Sequence, residues 1–103
     1  MSDPSGASAW VGERRIATSD DVVNVEGNAY FPLSDVDPAV LTPSRTRTLC
    51  LWKGIAGYYT LDVDGAVLRN AAWTYRKPSP LARRIKDRVA FTGVVDVRRG
   101  VDS

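Results

Sequence analysis

One stretch of the sequence brings together side chains that could bind or attack a small molecule. Thr46, Thr48, Cys50 and Trp52 alternate with other residues, and Lys53 follows directly. Alternate residues of an extended strand share a face. Such a row offers hydrogen-bond donors beside an aromatic ring without filling the space, which suits the wall of a shallow pocket. The alternative is that Cys50 packs as a small apolar side chain and that the threonines favour the strand.

Two charged residues could add chemistry to that row. Lys53 precedes a glycine, so a flexible cation lies where backbone can approach a phosphate or carboxylate closely. Glu26 follows an apolar valine, and if buried it would need a cation such as Lys53 or Arg47, or would stay protonated. Cys50 would be a nucleophile only as a thiolate, which a cation favours. We therefore predict Glu26, Cys50 and Lys53 as catalytic candidates.

The aromatic residues concentrate in the same part of the chain. Tyr and Trp offer a flat apolar body with a polar tip, so they could form either a core or a pocket wall. Of the nine aromatic residues, seven lie between residues 30 and 75: Tyr30, Phe31, Trp52, Tyr58, Tyr59, Trp73 and Tyr75. The ligand-binding candidates are Ser44, Thr48, Tyr59, Trp73 and Tyr75.

Composition excludes several kinds of chemistry. The 103 residues include one cysteine and no histidine. A Ser-His-Asp or Cys-His mechanism, a Cys and His zinc site and an internal disulfide are therefore excluded. The glycines and the Ser or Thr of a Walker-type phosphate loop do not accompany Lys53. We predict no metal and no cofactor.

Charge is unevenly distributed although the formal net charge is only +2. Residues 76–99 contain eight basic and two acidic side chains. This segment could attract phosphates, but it also suits the solvated face of a helix. Nucleic acid ranks last among the expected partners, because no recognition helix or aromatic RNA-binding motif is visible. With no apolar run of membrane length and no secretory leader, we expect a cytoplasmic protein.

The elements that would position these residues are mostly strands. Residues 59–63 alternate apolar and polar, and Asp64-Gly65 suits the tight turn of a hairpin whose second strand begins at Ala66. We expect two more hairpins, one joining 14–17 to 22–25 and one joining 89–91 to 94–97. Together with a strand over 46–52, this makes about seven strands.

Two helical segments complete the prediction. Residues 34–41 suit one or two turns, with proline near the start. In residues 79–89, Leu81, Ile85 and Val89 recur every four residues and predict an amphipathic helix on the sheet. A single domain over 10–97 is expected, with a disordered arm over 1–9 and a tail over 98–103.

Several short segments, taken in order, resemble one bacterial family. They are Val25-Glu26-Gly27, Tyr30-Phe31-Pro32, residues 48–54 (TLCLWKG), Tyr58-Tyr59, residues 70–75 (NAAWTY) and Val89-Ala90-Phe91. Together they are similar to the domain of unknown function 427, which carries a nucleotidyltransferase-like label. The resemblance implies a mainly β fold of compact, strongly bent antiparallel sheets with one or two short helices, similar to the mammalian suppressor of Sec four. That relative holds zinc with cysteines, which this chain does not supply.

The resemblance also bears on the site residues. The shared polar and aromatic positions map onto Glu26, Ser44, Thr48, Cys50, Lys53, Tyr59, Trp73 and Tyr75. The family often has His-Cys-Pro where this chain has Leu49-Cys50-Leu51, so any proton transfer by that histidine is lost here. The carboxylate pair that holds Mg²⁺ for nucleotidyl transfer is not visible as a motif.

Two functions from different classes follow. The first is a small-ligand pocket for an anionic or aromatic, phosphorylated or nucleotide-like metabolite, with or without catalysis. The second is a non-catalytic protein-interaction module. The first requires Glu26, Thr48, Cys50, Lys53 and Trp73 to converge on one concavity. The sequence does not define the oligomeric state.

Overall fold

Nine antiparallel strands in two sheets form almost all of the regular structure in residues 6–99, the part of the chain that the computed structural model describes. A three-stranded sheet has the order β2-β1-β9, and a six-stranded sheet has the order β3-β4-β8-β7-β6-β5. The predicted mainly β, antiparallel fold class is confirmed. The strands are β1 Ala7–Val11, β2 Arg14–Ser19, β3 Val23–Val25, β4 Asn28–Pro32, β5 Leu41–Cys50, β6 Gly54–Val63, β7 Ala66–Thr74, β8 Arg88–Phe91 and β9 Asp96–Arg99.

The six-stranded sheet has apolar side chains on both faces because consecutive residues of a strand point to opposite sides. Phe31 lies in the main core, which the three-stranded sheet covers, whereas its neighbour Tyr30 lies in a second, smaller core. Val89 and Ala90 of β8 divide in the same way. Ala82 and Ile85, from the segment between β7 and β8, pack into the second core.

The predicted hairpin of β6 and β7 is confirmed. Val63 pairs with Ala66, and Asp64 and Gly65 between them both have positive φ angles. A two-residue turn of that conformation matches the right-handed twist of the strands that it joins. Alternation then places Leu61 and Val63 in the main core.

The pairing of β6 with both of its neighbours is interrupted in the middle of the large sheet. Register shifts lie between Pro43 and Arg47 in β5 and opposite Tyr59 to Leu61 of β6 in β7. Asn70 of β7, whose φ is 51°, links the irregular part of β7 to that of β5. Its Oδ1 accepts from Ser44 Oγ at 2.6 Å, and its Nδ2 donates to Thr46 Oγ1 at 3.1 Å. Bulges of this kind increase the local bend and twist of a sheet.

Replacing Asn70 with alanine is expected to lower the free energy of unfolding by about 2–4 kcal/mol. The substitution removes two side-chain hydrogen bonds. It also places alanine in the left-handed region, which asparagine tolerates better because its side chain can form local hydrogen bonds. Asn70→Asp is the matched control, since it keeps the acceptor for Ser44 and loses only the amide donor. Urea unfolding should show a clearly smaller loss for the aspartate variant. Equal losses would mean that the bond to Ser44 contributes little.

Two predicted hairpins are wrong, although their strands exist. β2 pairs with β1 in the small sheet and β3 pairs with β4 in the large one, so residues 20–22 connect the two sheets, and Thr18 and Ser19 of the predicted turn belong to β2. Likewise β8 pairs with β4 and β7, whereas β9 pairs with β1. Short β-branched runs separated by polar residues mark strands and breaks, but the pairing partner is set by contacts distant in sequence.

The predicted amphipathic helix over 79–89 is also wrong. A 3₁₀ segment covers only Pro80–Ile85, with Ala82 outside helical geometry, and the chain enters β8 at Arg88. Leu81 is 80% exposed. Val89 belongs to β8, where it pairs with Phe31 of β4, and its side chain is buried in the main core. The four-residue recurrence therefore combined residues of two different elements. The other segment is confirmed as short: 3₁₀ turns span Leu33–Asp35 and Pro38–Val40.

The element boundaries modify the predicted domain limits. β1 begins at Ala7, so the last residues of the predicted arm belong to the small sheet, and residues 1–5 lie outside the described part. β9 extends to Arg99, and residues 100–103 also lie outside it. The strand predicted over 46–52 instead runs from Leu41 to Cys50. Within residues 6–99, no helix has the length and apolar character to cross a bilayer.

Candidate functional site

A groove lies where one face of the large sheet continues beyond the cover of the small sheet. Odd-numbered residues of β6 share this face: Leu61 is in the main core, Tyr59 is half-buried beside it, and Gly57 and Ile55 line the groove. The register extends the surface sideways, because Gly57 pairs with Arg47 of β5 and with Thr74 of β7. The groove has a volume of about 640 Å³, which is within the usual range for a small-molecule site.

The chemistry of the groove is cationic and partly aromatic. Arg47, Arg76 and Lys77 line it beside Tyr59, and none of its twelve lining residues is acidic. All three cationic side chains belong to exposed residues. Tyr58 also borders the groove, but its side chain packs against the second core. The surface can therefore hold an anion without displacing a carboxylate, while the Tyr59 ring offers flat apolar area.

The wall that carries Arg76 and Lys77 is held by the turn between β5 and β6. Ser79 donates its backbone N–H to the Lys53 carbonyl at 2.9 Å and its hydroxyl to the Trp52 carbonyl. Gly54, at φ +111°, allows this close approach, since a Cβ there would lie 3.4 Å from the Lys77 carbonyl oxygen. The sequence predicted that a ligand could approach the backbone at Gly54. In the structure, residues 77–79 occupy that position.

Glu26 and Lys53 form an ion pair on the other side of that turn. Glu26 lies in the tight turn between β3 and β4, where its φ is 55°. Its Oε1 accepts a hydrogen bond from Lys53 Nζ, and its Oε2 accepts one from Trp52 Nε1 at 3.1 Å. Lys53 is one of the two cations considered as a partner for a buried Glu26. In the structure, however, the lysine is the buried member of the pair. The Lys53 side chain is 9% exposed and the Glu26 side chain 49%.

Aromatic rings surround the buried ammonium. Lys53 Nζ lies 5.3 Å from the centre of the Trp52 ring and 5.8 Å from that of Tyr75, within the range of cation–π attraction. Burial acts to lower the pKa of Lys53, but the hydrogen bond with Glu26 and the neighbouring tyrosine hydroxyls outweigh it and raise this pKa. The hydrogen bonds from Lys53 and Trp52 lower the pKa of Glu26. Burial raises the pKa of Tyr75.

The other candidates on this side of the sheet are packed together. Cys50 is a free, half-buried thiol against the second core, with Trp73 and Tyr75. Trp73 Nε1 donates to Tyr30 Oη at 3.1 Å. Thr48 Oγ1 lies 3.0 Å from Tyr58 Oη, so these two hydroxyls share a hydrogen bond. Thr48 and Cys50 thus share a strand face, as predicted.

The structure therefore divides the predicted site residues between two faces of the sheet. Glu26, Thr48, Cys50, Lys53, Trp73 and Tyr75 surround the second core, and none of them lines the groove. The predicted convergence of Glu26, Thr48, Cys50, Lys53 and Trp73 on one concavity is therefore not found in the groove, and a ligand-binding role of the groove must rest on other residues. Ser44 and Tyr59 line the groove. The catalytic roles suggested for Glu26, Cys50 and Lys53 stay predictions.

Two cations of the groove wall, Arg76 and Lys77, are not among the predicted site residues. In the sequence they belong to a basic segment that also suits the solvated face of a helix. The alternation of β7 contained a signal, because Ala72, Thr74 and Arg76 are spaced to share one side of a strand.

Ser44 is restricted in the hydrogen bonds that it can offer a ligand, since its hydroxyl donates to Asn70. It can accept a hydrogen bond from a ligand, but its proton is already committed.

Fold and site together define a small antiparallel β domain with a cationic groove on one face and, on the other, a lysine–glutamate ion pair whose lysine is buried. The model of one protein family, described as a domain of unknown function (DUF427), matches residues 8–100. The chain belongs to this family, as the resemblance implied. Among proteins of curated function, none matches it.

Proposed function

We propose that this domain binds a small phosphorylated metabolite that carries a flat ring, such as a nucleotide, in the groove on β5, β6 and β7. One observation carries the proposal: Arg47, Arg76 and Lys77 line the groove next to Tyr59, and no carboxylate lines it. Phosphate oxygens accept charge-assisted hydrogen bonds from such cations. A ring packed on tyrosine adds apolar contact.

The proposal assigns different roles to the two faces. The groove supplies the ligand contacts, including Tyr59 and the Ser44 oxygen, whereas the Glu26–Lys53 pair holds the turn that supports the groove wall. We propose binding without a defined reaction. The cytoplasm, where we expect the protein, is rich in ligands of this class.

Calorimetric titration with the four common nucleoside 5′-monophosphates tests the proposal. The double variant Arg76→Ala/Lys77→Ala is expected to bind at least about tenfold more weakly, because each charge-assisted contact is worth about 1.5–3 kcal/mol. Arg83→Ala/Lys86→Ala is the matched control, since it also removes two exposed cations but neither lines the groove. The control should bind within about twofold of the natural protein.

Two outcomes would contradict the proposal. In the first, none of the nucleotides binds at millimolar concentration or raises the melting temperature. In the second, the control variant loses as much affinity as the groove variant, which would indicate attraction by overall charge.

A protein-interaction role is the second candidate, and a specific surface favours it. Leu49 and Ile55 form a cross-strand pair near the tip of the β5–β6 hairpin and are 69% and 60% exposed, and Leu51 in the turn is 95% exposed. Contiguous exposed apolar side chains often mark interaction sites. Chemical crosslinking in a native extract should then yield a discrete adduct that Leu49→Ser/Leu51→Ser removes, with nucleotide binding unchanged, because neither leucine lines the groove.

A further inference from the structure

Arg47 is held in the groove by contacts that restrain it without neutralising its charge. Its Nη1 donates to the backbone carbonyls of Ser44 at 2.9 Å and Thr46 at 2.8 Å. Its guanidinium lies over Gly57, where a Cβ would be 3.6 Å from Cζ. The carbonyls belong to the irregular part of β5, which Asn70 fixes through Ser44 and Thr46. The orientation of this side chain is therefore set before any ligand arrives.

The opposite edge of the same guanidinium remains available. Among residues 6–99, none accepts a hydrogen bond from Arg47 Nε or Nη2, and none pairs with it as a carboxylate. Arg14 differs, since both of its terminal nitrogens bind aspartates. The Nε and Nη2 donors of an arginine are parallel and match two oxygens of one phosphate group.

We infer that Arg47 is the specificity-determining residue of the groove and selects a terminal phosphate monoester over a phosphodiester. This inference rests on the proposed function. A monoester has three terminal oxygens and carries about two negative charges at neutral pH. Two oxygens bind the free edge of Arg47, and the third remains for Arg76 or Lys77. A diester has one negative charge and only two unesterified oxygens, so it cannot satisfy both walls.

The experiment compares each nucleoside 5′-monophosphate with its 3′,5′-cyclic counterpart, which keeps the base and sugar but has a diester. The natural protein should bind the monoester at least about tenfold more tightly. Arg47→Lys keeps the charge and loses the paired donors, so it should weaken monoester binding about tenfold and largely remove the preference. Arg45→Lys, an exposed arginine of the same strand that does not line the groove, is the control and should behave as the natural protein.

The pH dependence of affinity provides an independent readout. The second phosphate proton dissociates near pH 6, and the chain has no histidine that would titrate there. Monoester binding should therefore strengthen as the pH rises from about 5 to about 7, whereas diester binding should stay nearly constant. This difference should shrink in Arg47→Lys, and the melting temperature of each variant shows whether it is folded.

The outcomes separate the inference from the proposed function. Equal binding of monoester and diester, or a folded Arg47→Lys variant with unchanged preference, overturns the selection by Arg47 and leaves the nucleotide groove standing. If neither class of nucleotide binds at millimolar concentration, the proposed function fails and the inference fails with it.

Discussion

Replacing Phe31 with alanine is expected to lower the free energy of unfolding by about 3–5 kcal/mol, the usual loss when a buried phenylalanine is truncated. Phe31 is 0% exposed in the main core between the two sheets. Its ring meets that of Phe91 edge to face, with 5.6 Å between centres. A domain of this size has a total stability of only about 5–15 kcal/mol. The substitution should therefore remove a large share of the protein's stability.

Leu51→Ala is the matched comparison for that variant. Leu51 is 95% exposed, so its truncation should change stability by less than about 0.5 kcal/mol. Urea unfolding followed by tryptophan fluorescence measures both variants. A loss below about 1.5 kcal/mol for Phe31→Ala would contradict the assignment of the main core to this side of the large sheet.

The Glu26–Lys53 pair should respond unequally to the loss of its two members. Glu26→Gln leaves the buried Lys53 ammonium without a counter-charge, which is costly in a dry environment. Lys53→Met keeps the buried stem and leaves a half-exposed carboxylate that water can solvate, so its stability should stay within about 1 kcal/mol of the natural protein. We therefore expect Glu26→Gln to lose more stability than Lys53→Met. The double variant should resemble Lys53→Met.

The pH dependence of this pair follows from the direction of the Glu26 shift. Its pKa is lower in the folded protein, so the unfolded chain binds the proton more readily and protonation favours unfolding. The stability difference between the natural protein and Glu26→Gln should be fully present above about pH 4.3, the ordinary value for glutamate. It should disappear as the pH falls through the lower folded-state pKa. Urea unfolding at several pH values between about 3 and 7 measures it.

Two results would contradict this account of the pair. One is equal destabilisation by Glu26→Gln and Lys53→Met. The other is a difference between the natural protein and Glu26→Gln that does not shrink as the pH falls below about 4.3, where the unfolded chain takes up the proton at this position. Either result would mean that the aromatic rings and the solvent stabilise the Lys53 ammonium without help from Glu26.

Local patterns were sufficient to predict most strands and one hairpin. The alternation in residues 59–63 and the Asp64-Gly65 turn act over a few residues, so β6 and β7 could be paired without knowledge of the rest of the chain. The same reasoning failed for β2 with β3 and for β8 with β9. Those strands pair with partners from other parts of the chain, and the intervening residues contain no signal that distinguishes a hairpin turn from a crossing between sheets.

The candidate site was predictable in residue types but not in its arrangement. A buried glutamate needs a cation, and residue types alone offered Lys53 and Arg47 equally; the structure selects Lys53. Which member of the Glu26–Lys53 pair is buried depends on the rings of Trp52 and Tyr75 and on the exposed turn that carries Glu26. Strand alternation predicted that Thr48 and Cys50 lie on one face of β5 and Arg47 on the other. It could not show which of these faces other parts of the chain would cover.

The sequence by itself determined a β-built domain, its family, and a chemistry without histidine, disulfide or Cys and His zinc site, because composition and the two-residue period are local properties of a chain. The tertiary structure alone decided that the ligand-sized groove lies on the Arg47 side. The small sheet covers only the Leu61 end of the odd-numbered face of β6 and leaves the Gly57 end open. Coverage of this kind depends on how two sheets pack, and packing joins residues that are far apart in sequence.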